Sequence, residues 1–412
     1  VQALLGVMEG LMDNKEDKMA KTKELPVNKD VLKWARETAG LSIPQVSQEL
    51  GVKAEFILEI EHGHTVSKTL LNELSRLYKR PLAVLFLPGP PDESKIPTDY
   101  RLLPNQKQVI GPETAHALRE ARQFQEVLSD LTENPNTVSV FQNWAVKYND
   151  NPADIGSKIR KIIGIEFAEQ KNWRDPGYAF RAWRGKLQTL GINVFVADFP
   201  REEARGFSLW HKEFIPIIVV SRNEAPVAQS FTLFHELAHI LLRSEAMCLK
   251  KEDETLLGSI EAWCNRVAAS TLVPKDKFRD ALAKYGYTDV ESWKIDDLFK
   301  IASIFKVSRH VIAIRAEQIG LANAGYYNRI KGFLDMDDFP IAKIRPSETE
   351  DYKRDIPRER LTEVGFVPTT TILEACRKSV LSTIEAADLL KVRPTKFQRL
   401  YDLASAQSAK YG

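Results

Sequence analysis

The residues best placed to do chemistry lie in one stretch, Phe231-Thr232-Leu233-Phe234-His235-Glu236-Leu237-Ala238-His239-Ile240-Leu241-Leu242. On a helix, histidines at i and i+4 stand one above the other on the same face, so both imidazoles reach a single metal ion. Glu236 follows the first histidine and projects to one side, where it serves a metal-bound water rather than the ion itself. Zinc at such a site lowers the pKa of its water towards about 7 and polarises a scissile carbonyl. Glu236 would take the proton and pass it to the leaving amine, which is peptide hydrolysis. The string HExxH also arises on solvated helices. Here Leu233-Phe234 and Ile240-Leu241-Leu242 flank it, so the helix is read as buried, where an unpaired histidine or glutamate is costly.

A catalytic zinc site takes three protein ligands. Glu261 and Asn265 are i and i+4 on a second apolar-flanked helix, Glu261-Ala262-Trp263-Cys264-Asn265-Arg266-Val267-Ala268-Ala269, with Pro274 beyond it. Glu261 is the expected third ligand, and Asn265 the expected acceptor for a ligand histidine's ring N–H. Glu245, Glu252, Asp253 and Glu254 compete, but from a charged segment that reads as a solvated loop. Cys264 is a chemically good ligand, read as lying on a different face from Glu261 and packing. His211 or Arg222 would serve as an oxyanion donor, although surface positions beside a strand are the preferred reading. His310 reads as structural, and His62 and His64 as parts of a turn.

Three short strands are expected before the first of these helices: Ile192–Val196, a segment containing Phe207 and Trp210, and the nearly all-apolar Phe214–Val220. If Phe214–Val220 or Gly206-Phe207-Ser208 forms a sheet edge beside the zinc, an extended substrate would bind by adding a strand. Towards the N-terminus, helices are expected at Val31–Ala35, Gln45–Leu50 stopped by Gly51, Lys53–Glu61 stopped by Gly63, Thr69–Tyr78 and Pro81–Phe86. A short turn between the second and third of these is the helix-turn-helix arrangement. A linker by composition, Pro88–Pro97, leads to bridging helices at Glu113–Leu131 and Pro152–Ile163. Near the C-terminus, Thr383–Val392 and Pro394–Leu400 suggest two more short helices around a turn, made locally basic by Lys391, Arg393, Lys396 and Arg399.

The 412 residues carry a formal charge of only +2 and three cysteines, Cys248, Cys264 and Cys376. Any nucleic-acid contact must therefore come from a local patch, and the cysteines form neither a disulfide framework nor a zinc ribbon. A cytoplasmic protein with no membrane association is expected, since no apolar run approaches a spanning length. Met19-Ala20-Lys21 reads as a natural start preceded by an extension. The division is 1–27, a tail that is disordered or a short helix; 28–88, a helix-turn-helix domain; 89–160, linker and bridging helices; 161–330, a peptidase; and 331–412, a helical C-terminal region. The fold class is α+β, mostly helical, with one small sheet.

Two resemblances refine this. LKWARETAGLSIPQVSQELGVKAEFILEIEHG and LSRLYKRPLAVLF are similar to the XRE family of helix-turn-helix domains. That resemblance implies DNA contact through Lys53, Ala54, Glu55 and Glu59. The two carboxylates depart from the usual Arg, Gln and Asn base readers and would face a polyanion, so protein binding stays open. GINVFVADF, RGFSLWHKEFIPIIVVS, FTLFHELAHILL and IEAWCNRVAASTLVP, with the later IASIFKVSRHVIAIRAEQIGL, resemble the ImmA/IrrE metallopeptidases. This implies a zincin-like domain with His235, His239 and Glu261 as Zn2+ ligands and Glu236 as base. It also implies cleavage of a specific partner, a repressor or antitoxin. The alternative is a DNA-binding regulator, or an antitoxin that binds a partner toxin, with a structural or vestigial zinc site. A homodimer is compatible with either.

Overall fold

The computed structural model describes residues 24–25, 27–91, 111–132, 140–141, 144–211, 214–242, 254–287, 290–337 and 355–411. Most of the 1–27 tail and of the Pro88–Pro97 linker lie outside the described residues, as do Glu245, Cys248, Glu252, Asp253 and the side chain of Glu254. The chain divides into two compact units, residues 1–120 with 198–203, and residues 121–197 with 204–412.

The first unit is a cluster of short helices. Strand β1 (Glu24–Leu25) is followed by α1 (Lys29–Thr38), α2 (Ile43–Leu50) and α3 (Ala54–Glu61). Asn28 caps α1, and Ser42 with Gln45 forms a reciprocal capping box on α2, which has Pro44 in its first turn. Gly51, at φ 62°, ends α2 in the left-handed conformation that glycine adopts without steric cost. Strand β2 (Val66–Ser67) pairs antiparallel with β1, and α4 (Lys68–Leu77) follows. The expected helix at Pro81–Phe86 is a 3-10 turn, Leu82–Phe86. Leu32, Val46, Val52, Ile57, Leu70 and Leu85 are among the side chains that form the core. Arg36 forks onto Glu61 at 2.6 and 2.9 Å, and this hydrogen-bonded pairing raises its pKa despite partial burial.

The boundary between the units falls within α5 (Pro112–Asp130). In the second unit, α6 (Pro152–Ile163), α7 (Phe167–Asn172) and α8 (Pro176–Thr189) precede a three-stranded sheet. Its strands are β3 (Asn193–Ala197), β4 (Gly206–Leu209) and β5 (Ile217–Ser221), in the order β3-β5-β4. β5 runs parallel to β3 and antiparallel to β4. Every residue of β5 is buried, as its apolar run predicts for a strand covered on both faces; it is the central strand, so the expectation that Phe214–Val220 could form the sheet edge does not hold. Gly206-Phe207-Ser208 belongs to the edge strand. β3 and β5 begin and end within a few residues of their predicted bounds, and β4 takes in Phe207 but stops before Trp210.

Helix α9 (Pro226–Leu241) covers β4 and β5, and α10 (Glu254–Leu272) packs on α9 and α6. Then come α11 (Lys275–Tyr285), α12 (Ile295–Phe305), α13 (Arg309–Gln318), α14 (Tyr326–Asp337), α15 (Ile356–Val364), α16 (Phe366–Arg377), α17 (Thr383–Leu390) and α18 (Phe397–Tyr411). The architecture is therefore mostly helical with one small mixed sheet. Buried arginines hold helix ends in place. Arg160 donates to Gln170 Oε1, Thr271 O and Ile165 O at 2.8 to 3.0 Å. Arg184 donates to the carbonyls of Val194, Thr362 and Glu363, tying β3 to the end of α15. Burial lowers the pKa of both guanidinium groups, and the carbonyl oxygens replace the water they lose.

Candidate metal centre

Helix α9 starts at Pro226 and buries Leu233, Phe234, Leu237, Ala238, Ile240 and Leu241. Phe234 meets Trp183 of α8 edge-on, with ring centroids 5.1 Å apart. Its buried polar residues are satisfied locally: Gln229 donates to Ser221 O and Ser230 to Pro226 O. The helix is thus pinned on all sides, and its one polar stripe carries His235 and His239.

The two imidazoles turn their Nε2 atoms towards each other at 3.0 Å. Glu261, from α10, places Oε2 at 3.1 Å from His235 Nε2 and Oε1 at 3.3 Å from His239 Nε2. Among the described residues, these three supply donor atoms within 4.8 Å of one another. An ion bound tetrahedrally at about 2.0–2.2 Å separates its ligand atoms by roughly 3.3–3.6 Å, so the cluster is close to metal-ligand spacing and slightly contracted. Two imidazoles and a carboxylate are also the donor set of one class of catalytic zinc site. The residues present fit such an ion.

The far side of each ring is engaged as well. His235 Nδ1 lies 2.9 Å from Asn265 Oδ1; an N–H donated there leaves the Nε2 lone pair directed into the cluster. His239 Nδ1 lies 3.4 Å from Cys264 Sγ. Glu261, Cys264 and Asn265 are i, i+3 and i+4, neighbours on one helical face, so α10 supplies a carboxylate and the partners of both histidines. This corrects the expectation that Cys264 lies on a different face and only packs: it is fully buried, yet its sulfur reaches a ring nitrogen. Burial pushes both histidines down in pKa. At His235 the hydrogen bond to Glu261, the charges of Glu236 and Glu261 and the bond to Asn265 together outweigh burial and the result is raised, whereas at His239 burial and the neighbouring His235 leave it lowered. Burial opposes ionisation of Glu261, but the two imidazoles hold its carboxyl well below the usual range.

Glu236 is buried beside the cluster, and its Oε2 accepts a hydrogen bond from Ser208 Oγ at 2.8 Å. Ser208 is on the edge strand β4, where alternation places Gly206 and Ser208 on one face. Gly206 makes the approach possible. A Cβ there would stand 2.5 Å from Thr232 Cγ2 and 2.7 Å from Val219 O, with Glu236 Cγ 3.7 Å away. The sequence reading did not single out Ser208; its signal was the small residues alternating with Phe207 and Leu209.

The remaining candidates lie elsewhere. His211 is exposed beside Phe214, and Arg222 is ion-paired with Glu363. His310 Nδ1 meets the Tyr327 hydroxyl at 3.3 Å, and His62 Nδ1 the carbonyl of Leu58 at 2.6 Å. Lys53, Glu55 and Glu59 are exposed and Ala54 half-buried at the start of α3, in the first unit. No described helix is long and apolar enough to cross a membrane.

Residues 187–317, from the end of α8 into α13, match the family model described as the IrrE N-terminal-like domain. This span holds the sheet, α9 and the ligand-bearing turn of α10, and it supports the ImmA/IrrE resemblance and a metallopeptidase-like domain. No curated protein matches the chain. Among solved structures, the chain is similar to a Mycobacterium tuberculosis transcriptional regulator at 15% identity and a TM-score of 0.28, over 46% of this chain and 51% of that one. The chain therefore spans about half the length of that regulator.

Proposed function

We propose that the chain is a zinc-dependent endopeptidase that cleaves one specific partner protein, a repressor or antitoxin, in transcriptional or toxin–antitoxin regulation. The observation that carries this reading is the convergence of His235 Nε2, His239 Nε2 and the Glu261 carboxylate within 3.0–3.3 Å, one residue from a glutamate that takes no part in the cluster. When bound, zinc supplies a water of lowered pKa and a Lewis acid for the peptide carbonyl. Asn265 and Cys264 orient the two imidazoles, and Glu261 neutralises charge between them. Glu236, steadied by Ser208, takes a proton on its carboxylate from the attacking water and returns it to the amine nitrogen as the peptide bond breaks. Edge strand β4 runs past this carboxylate and offers main-chain groups to an extended substrate. A reducing, cytoplasmic setting suits Cys264 and Cys376, which do not form a disulfide with each other.

A Glu236→Gln variant tests the reading against a regulator with a structural metal site. The expected result is retained fold and zinc content with cleavage of the cognate partner abolished. Full biological activity in this variant would establish the regulator instead.

A further inference from the structure

Among the described residues, one turn with a buried valine at its centre occurs three times. It joins α2 to α3 through Gly51-Val52-Lys53, α12 to α13 through Lys306-Val307-Ser308, and α17 to the helical turn before α18 through Lys391-Val392-Arg393. In each, the first helix ends on a left-handed residue, at φ 62°, 58° and 49°. The next residue is a buried valine whose N–H returns to the carbonyl five positions earlier: Val52 to Ser47, Val307 to Ala302 and Val392 to Ala387, at 3.1 to 3.3 Å. An extended residue then opens the second helix, with ψ of 149°, 158° and 141° at Lys53, Ser308 and Arg393. This is a Schellman stop followed at once by a new start, the connection a helix-turn-helix needs. Two copies hold lysine in the left-handed region, where a side chain costs about 1–2 kcal/mol, so the buried valine and its hydrogen bond hold the turn there.

The copies differ in what their second helices present. In the first, exposed Glu55 and Glu59 repel an anion. In the second, Arg315 is turned inward to Val273 O, and α13 packs against α10 and α14. The third is cationic around its turn: residues 377–399 hold six Lys and Arg against Glu385 and Asp388, with Arg399 the one of the six on α18, where Asp402 follows. Arg399 is held by Asp355 at 2.7 Å, and Arg377 lies over the Tyr401 ring at 3.8 Å. Arg393, Thr395 and Lys396 are exposed on the turn before the second helix, while Gln398, also exposed, donates to Asp402 Oδ1 at 2.8 Å and accepts from Arg377 at 3.2 Å.

We propose that this C-terminal helix pair binds double-stranded DNA, with Arg393 and Lys396 on phosphates and the start of α18 at the major groove. Long cations for the backbone and a threonine, Thr395, for a base edge are residue types such a contact uses. B-form DNA is the fitting duplex, because its major groove admits a helix while that of A-form RNA is too deep and narrow. The inference is independent of the metal centre.

The test is fluorescence anisotropy of the full chain with a random-sequence 30-base-pair DNA duplex, titrated with salt. Binding at 50 mM salt should weaken steeply as salt rises. R393E/K396E should lose at least about tenfold in affinity and flatten the log–log salt slope by about 2. R393Q/K396Q should do the same to a smaller extent, with the melting curve showing both variants folded. Absence of duplex binding by the parent, equal binding by R393E/K396E, or equal affinity for a double-stranded RNA of the same length would overturn the assignment.

Discussion

Ser208 Oγ, on the edge strand of the sheet, donates to Glu236 Oε2 on the histidine-bearing helix at 2.8 Å. It fixes the carboxylate from outside the ligand cluster. A hydrogen bond to a charged group contributes about 1.5–3 kcal/mol. If that is felt chiefly in the transition state, Ser208→Ala lowers kcat by about 10–100-fold. Ser208→Thr should restore much of it, while zinc affinity, measured by competition with a chromogenic chelator, stays put in both. A large loss of zinc in Ser208→Ala would show that the serine supports the cluster instead.

Gly206 is the point of closest approach between that strand and helix α9. In Gly206→Ala the new methyl meets Thr232 Cγ2 and Val219 O, and the second is backbone that cannot turn aside. The expected cost is about 1–3 kcal/mol, seen as a lower melting temperature. Adding Thr232→Ser removes one of the two clashes and should recover part of the loss. An unchanged melting curve for the single variant would refute this packing.

Outer partners of the two imidazoles should tune metal affinity. Asn265→Ala and Cys264→Ala each remove a group that orients a ring, and such changes typically cost about 10–100-fold in affinity. Glu261→Ala removes a donor and should cost more than either. Thermal melts with and without zinc supply a readout free of activity, because a ligand of the folded state raises its stability by mass action. The zinc-induced shift should shrink in the order parent, Cys264 or Asn265 variant, Glu261 variant.

Arg160 satisfies three buried acceptors at once. Arg160→Ala leaves Thr271 O, Ile165 O and Gln170 Oε1 without their donor, at about 1–3 kcal/mol for each group left unsatisfied. Chemical denaturation should show a loss of at least about 2 kcal/mol. Arg160→Lys should rescue little, since one ammonium cannot reproduce the guanidinium fork. Equal stability of the alanine variant would mean that water reaches these carbonyls.

Much of the candidate centre was legible before any coordinates. His235, Glu236 and His239 share a helix, and the 3.6-residue period alone places both histidines on one face. Glu261 and Asn265 followed from the same period on a second helix, and the apolar run leading into β5 marked a strand covered on both faces. Cys264 was readable by that rule too, being i+3 from Glu261, but a buried thiol is usually packing and its partner lies on another helix.

What lies between elements had no local signature. That α9 and α10 face each other, that β4 takes the edge, and that Gly206 lets Ser208 reach Glu236 depend on how side chains fill shared space, which no periodicity encodes. The kinship of three turns was equally hidden, since glycine stands in one left-handed position and lysine in the other two. A sequence determines which side chains share a face through the repeat of its own backbone; which faces meet is decided by packing, where residues far apart in the chain compete for the same volume.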